Sequence, residues 1–265
     1  MSLKLGRYRI SLLSVIGLLL FLSIWWLAAL QLGRTRLPSP DVVIVRFFSS
    51  VVWARELVVQ GGGKYGLQPH LVYTFTRTIL GTSIGIGLGI LVGLAMGWSQ
   101  KLGYFLGPPV DAIRTIPPLA AAPFFLMWFG PTPTMQLGML VFYCFLMLVI
   151  NTISAIRNVP PVYSQFAQTQ GASRGQVFRT VVLPAIVPEL VGGIRVAIGV
   201  SWGIEIVVEM LGAPRGMGQV FGMLLSLQAL DLIMAGIIWI ALMAVVVDYV
   251  FARVASYVVR WMPST

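Results

Sequence analysis

Cysteine and histidine are nearly absent from this 265-residue chain, which has one of each, Cys144 and His70. A single cysteine inside an apolar run excludes a disulfide framework and a Cys-based metal site, and leaves it as a small core hydrophobe. A single histidine, with no His-Glu-x-x-His or Cys-x-x-Cys spacing, leaves no set of acid, base and metal ligands for an enzyme. His70 is read as a structural or surface residue. Charge is scarce too, at 10% of residues against about 25% in soluble proteins. Long polar stretches are also missing, so no separate soluble domain fits beside spans of about 20 apolar residues each.

What is there is apolar surface: 58% of residues are hydrophobic. The chain therefore reads as an all-α integral membrane protein, a single transmembrane domain over residues 1–265. The formal net charge of +10 does not imply nucleic acid, because the 18 Lys and Arg are scattered between apolar runs rather than gathered in a stripe. Lys4, Arg7 and Arg9 precede an apolar run too long for the core of a signal peptide, so the run is expected to be a retained first span with its basic end in the cytoplasm.

Hydropathy predicts spans at 10–30, 77–98, 136–155, 187–211 and 232–252. A sixth, at 102–129, contains Pro108, Pro109, Pro117, Pro118 and Pro123 together with Asp111 and Arg114. Prolines break a simple helix, and irregular backbone at membrane depth must be buried in protein or line a cavity. This broken segment is therefore expected at the centre of the fold. Six spans place both termini and the loop 156–186 in the cytoplasm, with the larger share of the basic residues on that side.

Residues 37–60 read as an amphipathic segment at the outer surface. Leu37-Pro38-Ser39-Pro40-Asp41 caps a helix over Val42–Gln60, with Val45, Phe48, Val52 and Leu57 on its apolar side and Gly61-Gly62-Gly63 ending it. That glycine run with Lys64 is not a phosphate loop, since Tyr65 replaces the Ser or Thr and Val58 the first Gly. Gly81, Gly85, Gly89, Gly93 and Gly97 form a four-residue ladder on the second span. Small residues at that spacing let a neighbouring backbone approach closely, so the ladder predicts tight helix packing, within the subunit or between two.

Ionisable residues inside spans are the candidates for a pathway or gate. Glu205 and Glu209 lie one turn apart in the fifth span and project from one face. Glu209 is near the outer end, where a solvated or N–H-bonded carboxylate is cheap. Glu205 is deeper, and lines the path or belongs to a buried pair with Arg195 or Arg114. Asp111 and Arg114, three residues apart, are expected to pair locally and hide both charges. Trp202 joins the path candidates. No residue set holds a metal.

The polar stretch from Gln165 to Pro188 interrupts two apolar runs. It resembles the cytoplasmic coupling loop of ATP-binding-cassette (ABC) importer permeases, whose pattern is Glu-Ala-Ala, three residues, Gly, about nine residues, Ile, two residues, Leu-Pro. Ala167, Gly171 and Leu183-Pro184 match, while Gln165 and Phe166 stand where the family has Glu and Ala. Asp111 to Ala120, Trp128-Phe129-Gly130, Gly193-Ile194-Arg195, Ser201-Trp202, Val208 to Leu211, Arg215 to Gly218 and Leu37 to Pro40 resemble segments of the nitrate, sulfonate, taurine and bicarbonate group of these permeases.

The resemblance implies a type I importer (MetI-like) permease fold in the bacterial inner membrane. It further implies two ABC ATPase subunits that bind ATP and Mg, a second permease subunit in a homo- or heterodimer, and a periplasmic or lipid-anchored solute-binding protein. This chain then contacts lipid and transmits force, but binds no cofactor. Gln165, Phe166, Ala167, Gly171, Ala172, Ser173, Leu183 and Pro184 would seat in the ATPase, Gly171 permitting a bend and Leu183-Pro184 closing the loop as the fifth span begins. Gln165 in place of Glu exchanges an ion pair for a neutral hydrogen bond, or marks one half of a heterodimer. A small anion is the expected solute, with positive potential from Arg77, Arg114 and Arg195. Glu205 argues against an anion, and a neutral or cationic vitamin precursor stays open. A secondary transporter and a membrane assembly protein are the other classes, separated from the importer by co-purification of an ATPase.

Overall fold

The computed structural model describes residues 2–5, 8–33, 35–59 and 65–259. The expectations on Arg7, Arg34, Gly61 to Lys64 and Arg260 fall outside these. Apart from a two-stranded antiparallel hairpin, β1 (Ser2–Leu5) with β2 (Tyr8–Ser11), the described regular structure is helical. Two compact units share the chain, residues 1–69 with 220–239, and residues 70–219 with 240–265.

The first unit contains α1 (Leu12–Leu32), an apolar helix long enough to span. The outer segment is not one helix but two, α2 (Pro40–Ser49) and α3 (Arg55–Val59). The expected helix over Val42–Gln60 fails at Ser50 for a non-local reason. The returning chain takes its carbonyls, with Leu67 N–H bonding Ser50 O at 2.8 Å, Gln68 N–H bonding Val51 O at 3.1 Å and Gly66 N–H bonding Val52 O at 2.9 Å. Gly66 lies so close to the Ser50 carbonyl that no side chain fits there. Arg46 joins two acidic residues, Glu56 at 2.7 Å and Asp231 at 2.8 Å. Burial works to lower its pKa, but the hydrogen bond and charge of Asp231, with the charge of Glu56, outweigh burial and raise it. Trp239 stacks on Phe47 at 4.4 Å and donates its indole N–H to the Phe47 carbonyl.

The second unit is built on α4 (Gln68–Trp98), α5 (Gln100–Ile113), α6 (Ala122–Phe129), α7 (Pro133–Asn158) and α10 (Leu183–Met210), with the distal part of α12 (Leu230–Val258). Residues 159–182 between α7 and α10 hold α8 (Pro161–Thr169) and α9 (Arg174–Val177), and α11 (Met217–Ser226) precedes α12. Among the described residues, five helices are long and apolar enough to cross a membrane. The pair Gln100–Ile113 and Pro118–Phe129, bent by 84°, makes a sixth crossing if taken as one.

The glycine ladder faces α7. A Cβ at Gly81 would lie 2.7 Å from Leu140 Cβ, one at Gly85 2.6 Å from Cys144 Cβ, one at Gly89 2.8 Å from Leu148 Cβ, and one at Gly93 2.6 Å from Thr152 Cβ. Gly97 abuts Ile156. Both series climb in steps of four in the same direction, so α4 and α7 run parallel. Two parallel helices joined by one segment require that segment to return to the starting side, which is why the bent pair must cross. Between α7 and α10 the partners run in opposite senses. Ala155 packs with Ile186 and Leu190, Cys144 with Ala197, and Leu140 with Ile204 and Val208, so these helices are antiparallel. Gly193 admits the Asn151 side chain into this seam.

Candidate functional site: the segment between α7 and α10 and the far end of the second unit

The antiparallel pair α7 and α10 leaves residues 159–182 at one end of the second unit. α7 closes with Asn158, whose amide donates to both Glu189 oxygens at 3.0 and 3.1 Å, tying that end to α10. α8 follows, with Pro160 and Pro161 setting its start. Its apolar residues Val162, Tyr163 and Phe166 are exposed, Phe166 to 67%. They lie at i, i+1 and i+4 and so share one face. Gln165 is exposed and Ala167 half-buried.

α8 stops at Gly171, whose φ of +85° is open to glycine at little cost. Gly171 N–H bonds Gln168 O at 2.9 Å and Ala172 N–H bonds Ala167 O at 3.1 Å, so the last carbonyls of α8 find partners in the turn. Ser173 then opens α9 through a reciprocal capping box. Its N–H donates to Gln176 Oε1 at 2.7 Å while its Oγ accepts from Gln176 N–H at 3.4 Å. The spacing Ser-x-x-Gln is the signal that could have found this cap in the sequence.

Leu183-Pro184 does not close the loop as expected. The helical run is continuous from Arg174 to Met210, and the span begins well before residue 187. Pro184 has no N–H to offer, and the chain passes it through a π-helical turn at Phe178–Val182, where Leu183 N–H reaches back to Phe178 O. Phe178 meets Trp98, the last residue of α4, edge-on at 4.7 Å. The segment is thereby joined to α4 as well as to α7 and α10.

At the other end of the unit, α10 finishes on a buried polar knot. Glu209, fully buried, accepts from Thr74 Oγ1 at 2.8 and 3.0 Å and from Gly218 N–H at 2.8 Å. Thr74 Oγ1 in turn accepts from Met217 N–H at 2.9 Å, and His70 Nδ1 from Gly216 N–H at 3.3 Å. Gly216, at φ +121°, leaves no space for a Cβ against the Glu209 carboxyl. His70, at 5% exposure, is thus part of a structural knot. Thr74 and the Gly216–Gly218 backbone were not singled out as its partners.

The remaining path candidates separate. Glu205 is fully buried, and neither oxygen has a hydrogen-bond partner among the described residues. The expected pair with Arg195 or Arg114 is not formed, because both arginines are engaged elsewhere. Arg195 makes a bidentate pair with Asp248 on α12, at 2.8 and 2.7 Å. Arg114 pairs with Asp111 at 2.8 Å, but their side chains are 50% and 68% exposed, so this pair does not hide its charges within this chain. Trp202 is buried against Phe75, its ring 6.2 Å away.

Residues 85–263 match the family model described as binding-protein-dependent transport system inner membrane component. The chain is 31% identical to the taurine transport system permease protein of Escherichia coli strain K12, over 89% of this chain and 84% of that one. It is 28% identical to the nitrate import permease protein of Synechococcus elongatus, over 77% and 73%. It is 30% identical to the riboflavin transport system permease protein of Chloroflexus aurantiacus, over 97% and 93%. Among solved structures, an inward-facing form of the MetNI methionine ABC transporter aligns with a TM-score of 0.60 at 18% identity, over 80% of this chain and 100% of that one.

Proposed function

We propose, for a chain that belongs to the family of inner membrane components of binding-protein-dependent transport systems, that it forms the solute path of an ATP-driven importer and hands force to that path through α8. The observation that carries this reading is the exposed apolar face Val162, Tyr163 and Phe166, held at one end by α7, α10 and Trp98. Exposed aromatic residues on a short helix outside the spans are suited to a cleft in a partner protein. Phe166 adds apolar contact where Gln165 supplies no charge. Two ATPase subunits carrying ATP and Mg, a second permease subunit and an extracytoplasmic binding protein complete the assembly. Both termini and α8 lie in the cytoplasm.

The solute is a small anion. Relatives named for taurine and nitrate support this, while the relative named for riboflavin keeps a neutral heterocycle as the second reading.

The test is co-purification of the ATPase encoded beside this chain. Wild type is expected to retain it, and Phe166→Asp to lose it while eluting as a folded, monodisperse protein in detergent. Equal retention by both would overturn α8 as the docking element, and no ATPase with wild type would overturn the importer assembly.

A further inference from the structure

Beside the proposed coupling segment, the end of α4, α5 and the C-terminal half of α7 line an open cavity of about 590 Å³, within the range of small-molecule sites, roughly 300–1,000 Å³. Its polar wall comprises Gln100, Asp111, Arg114, Ser154 and Arg157, with Tyr104 adding an exposed ring. The wall therefore carries two arginines and one aspartate. Arg114 is held by Asp111 at 2.8 Å. Arg157, in the last turn of α7, has no ion-pair partner among the described residues. An uncompensated guanidinium in a concave site concentrates anions, and its planar fork suits the oxygens of a sulfonate, nitrate or carboxylate.

We propose that this cavity is an oxyanion-binding subsite with Arg157 as the group that meets the charge. Gln100 and Ser154 offer neutral donors on the same wall. Asp111 restrains Arg114, so the site holds an anion weakly enough to release it. The proposal rests on the transport reading in one respect: the bound oxyanion is the cargo near its exit. An anionic lipid headgroup has the same chemistry and is the other source to be separated.

The experiment uses the permease–ATPase complex in nanodiscs, with ethanesulfonate as the probe in ligand-observed saturation-transfer NMR. Wild type and Arg157→Lys are expected to bind it. Arg157→Gln is expected to weaken it about tenfold, the loss of one charge-assisted contact. Asp111→Asn, which frees Arg114, is expected to tighten it. Arg157 is exposed, so its replacement leaves the core intact. Equal binding by wild type and Arg157→Gln would overturn the site. Nanodiscs of zwitterionic lipid alone are compared with nanodiscs containing phosphatidylglycerol. A signal unchanged by phosphatidylglycerol supports a solute, and a signal abolished by it overturns the solute in favour of a lipid headgroup. Import of labelled taurine by liposomes carrying the full assembly separates the two levels. Binding without import keeps the subsite and removes the anion reading of the cargo, whereas import at equal rates by wild type and Arg157→Gln, with no NMR signal, removes the subsite alone.

Discussion

Thr74 Oγ1 lies 2.8 Å from one Glu209 carboxyl oxygen and 3.0 Å from the other, across 135 residues of chain. The same hydroxyl accepts the Met217 N–H, so one small side chain serves a carboxylate and a backbone amide at once. Thr74→Val keeps the shape and removes both bonds. Leaving buried polar groups unpaired costs about 1–3 kcal/mol each. A clear fall in the melting temperature of detergent-solubilised protein is expected for Thr74→Val, with Thr74→Ser close to wild type. An unchanged Thr74→Val melting curve would show that the knot contributes nothing to stability.

The glycines of α4 predict a contrast between two neighbouring positions. A Cβ at Gly89 would lie 2.6 Å from the Phe145 carbonyl oxygen, whereas one at Gly87 would meet nothing within 4 Å. Gly89→Ala forces two backbones apart, and overpacking of this kind costs about 1–3 kcal/mol. Gly87→Ala should be neutral or slightly stabilising. Thermal unfolding of the two variants side by side decides the matter, since equal effects would deny the close approach.

Arg195 and Asp248 predict a non-additive pair. Removing either alone, as Arg195→Leu or Asp248→Leu, strands a charge within a span and lowers the yield of folded protein in membranes. The double variant should recover most of the loss, because the two effects share one contact. Losses that simply add would show that the pair is not an energetic unit.

The Ser173–Gln176 capping box predicts a local effect. Ser173→Ala removes one of its two reciprocal bonds, worth about 1 kcal/mol for a cap. Hydrogen exchange at residues 174–177 should quicken while the overall melting temperature stays put. Exchange unchanged at those amides would mean that the turn after Gly171 is held by other contacts.

The spans were legible because a bilayer imposes length and hydropathy on each, and their order survives in the structure. Their ends were not. α4 begins at Gln68 rather than 77, because Thr74 and His70 are polar residues with buried partners, which a hydropathy window reads as loop. The outer helix broke at Ser50 because its carbonyls serve Gly66–Gln68, a pairing that no local pattern announces. Glu209, near a helix end, is a carboxylate held by the Gly218 N–H and the Thr74 hydroxyl. The alternative that set Glu205 beside Arg195 fails for a plain reason: Asp248, 53 residues away, holds Arg195, and sequence gives charge without direction.

The meshing of α4 with α7 also limits how the protein can move. Each of five glycines seats an atom of α7 at under 3 Å from where a side chain would begin, at a pitch shared by both helices. Like a rack against its pinion, such a seam cannot creep by one residue, because the next tooth offers a bulky side chain in place of hydrogen. α4 and α7 therefore swing as one stave. For force handed on by α8 as proposed, the places left to take it up are the π turn before Pro184 and the 84° elbow between α5 and α6.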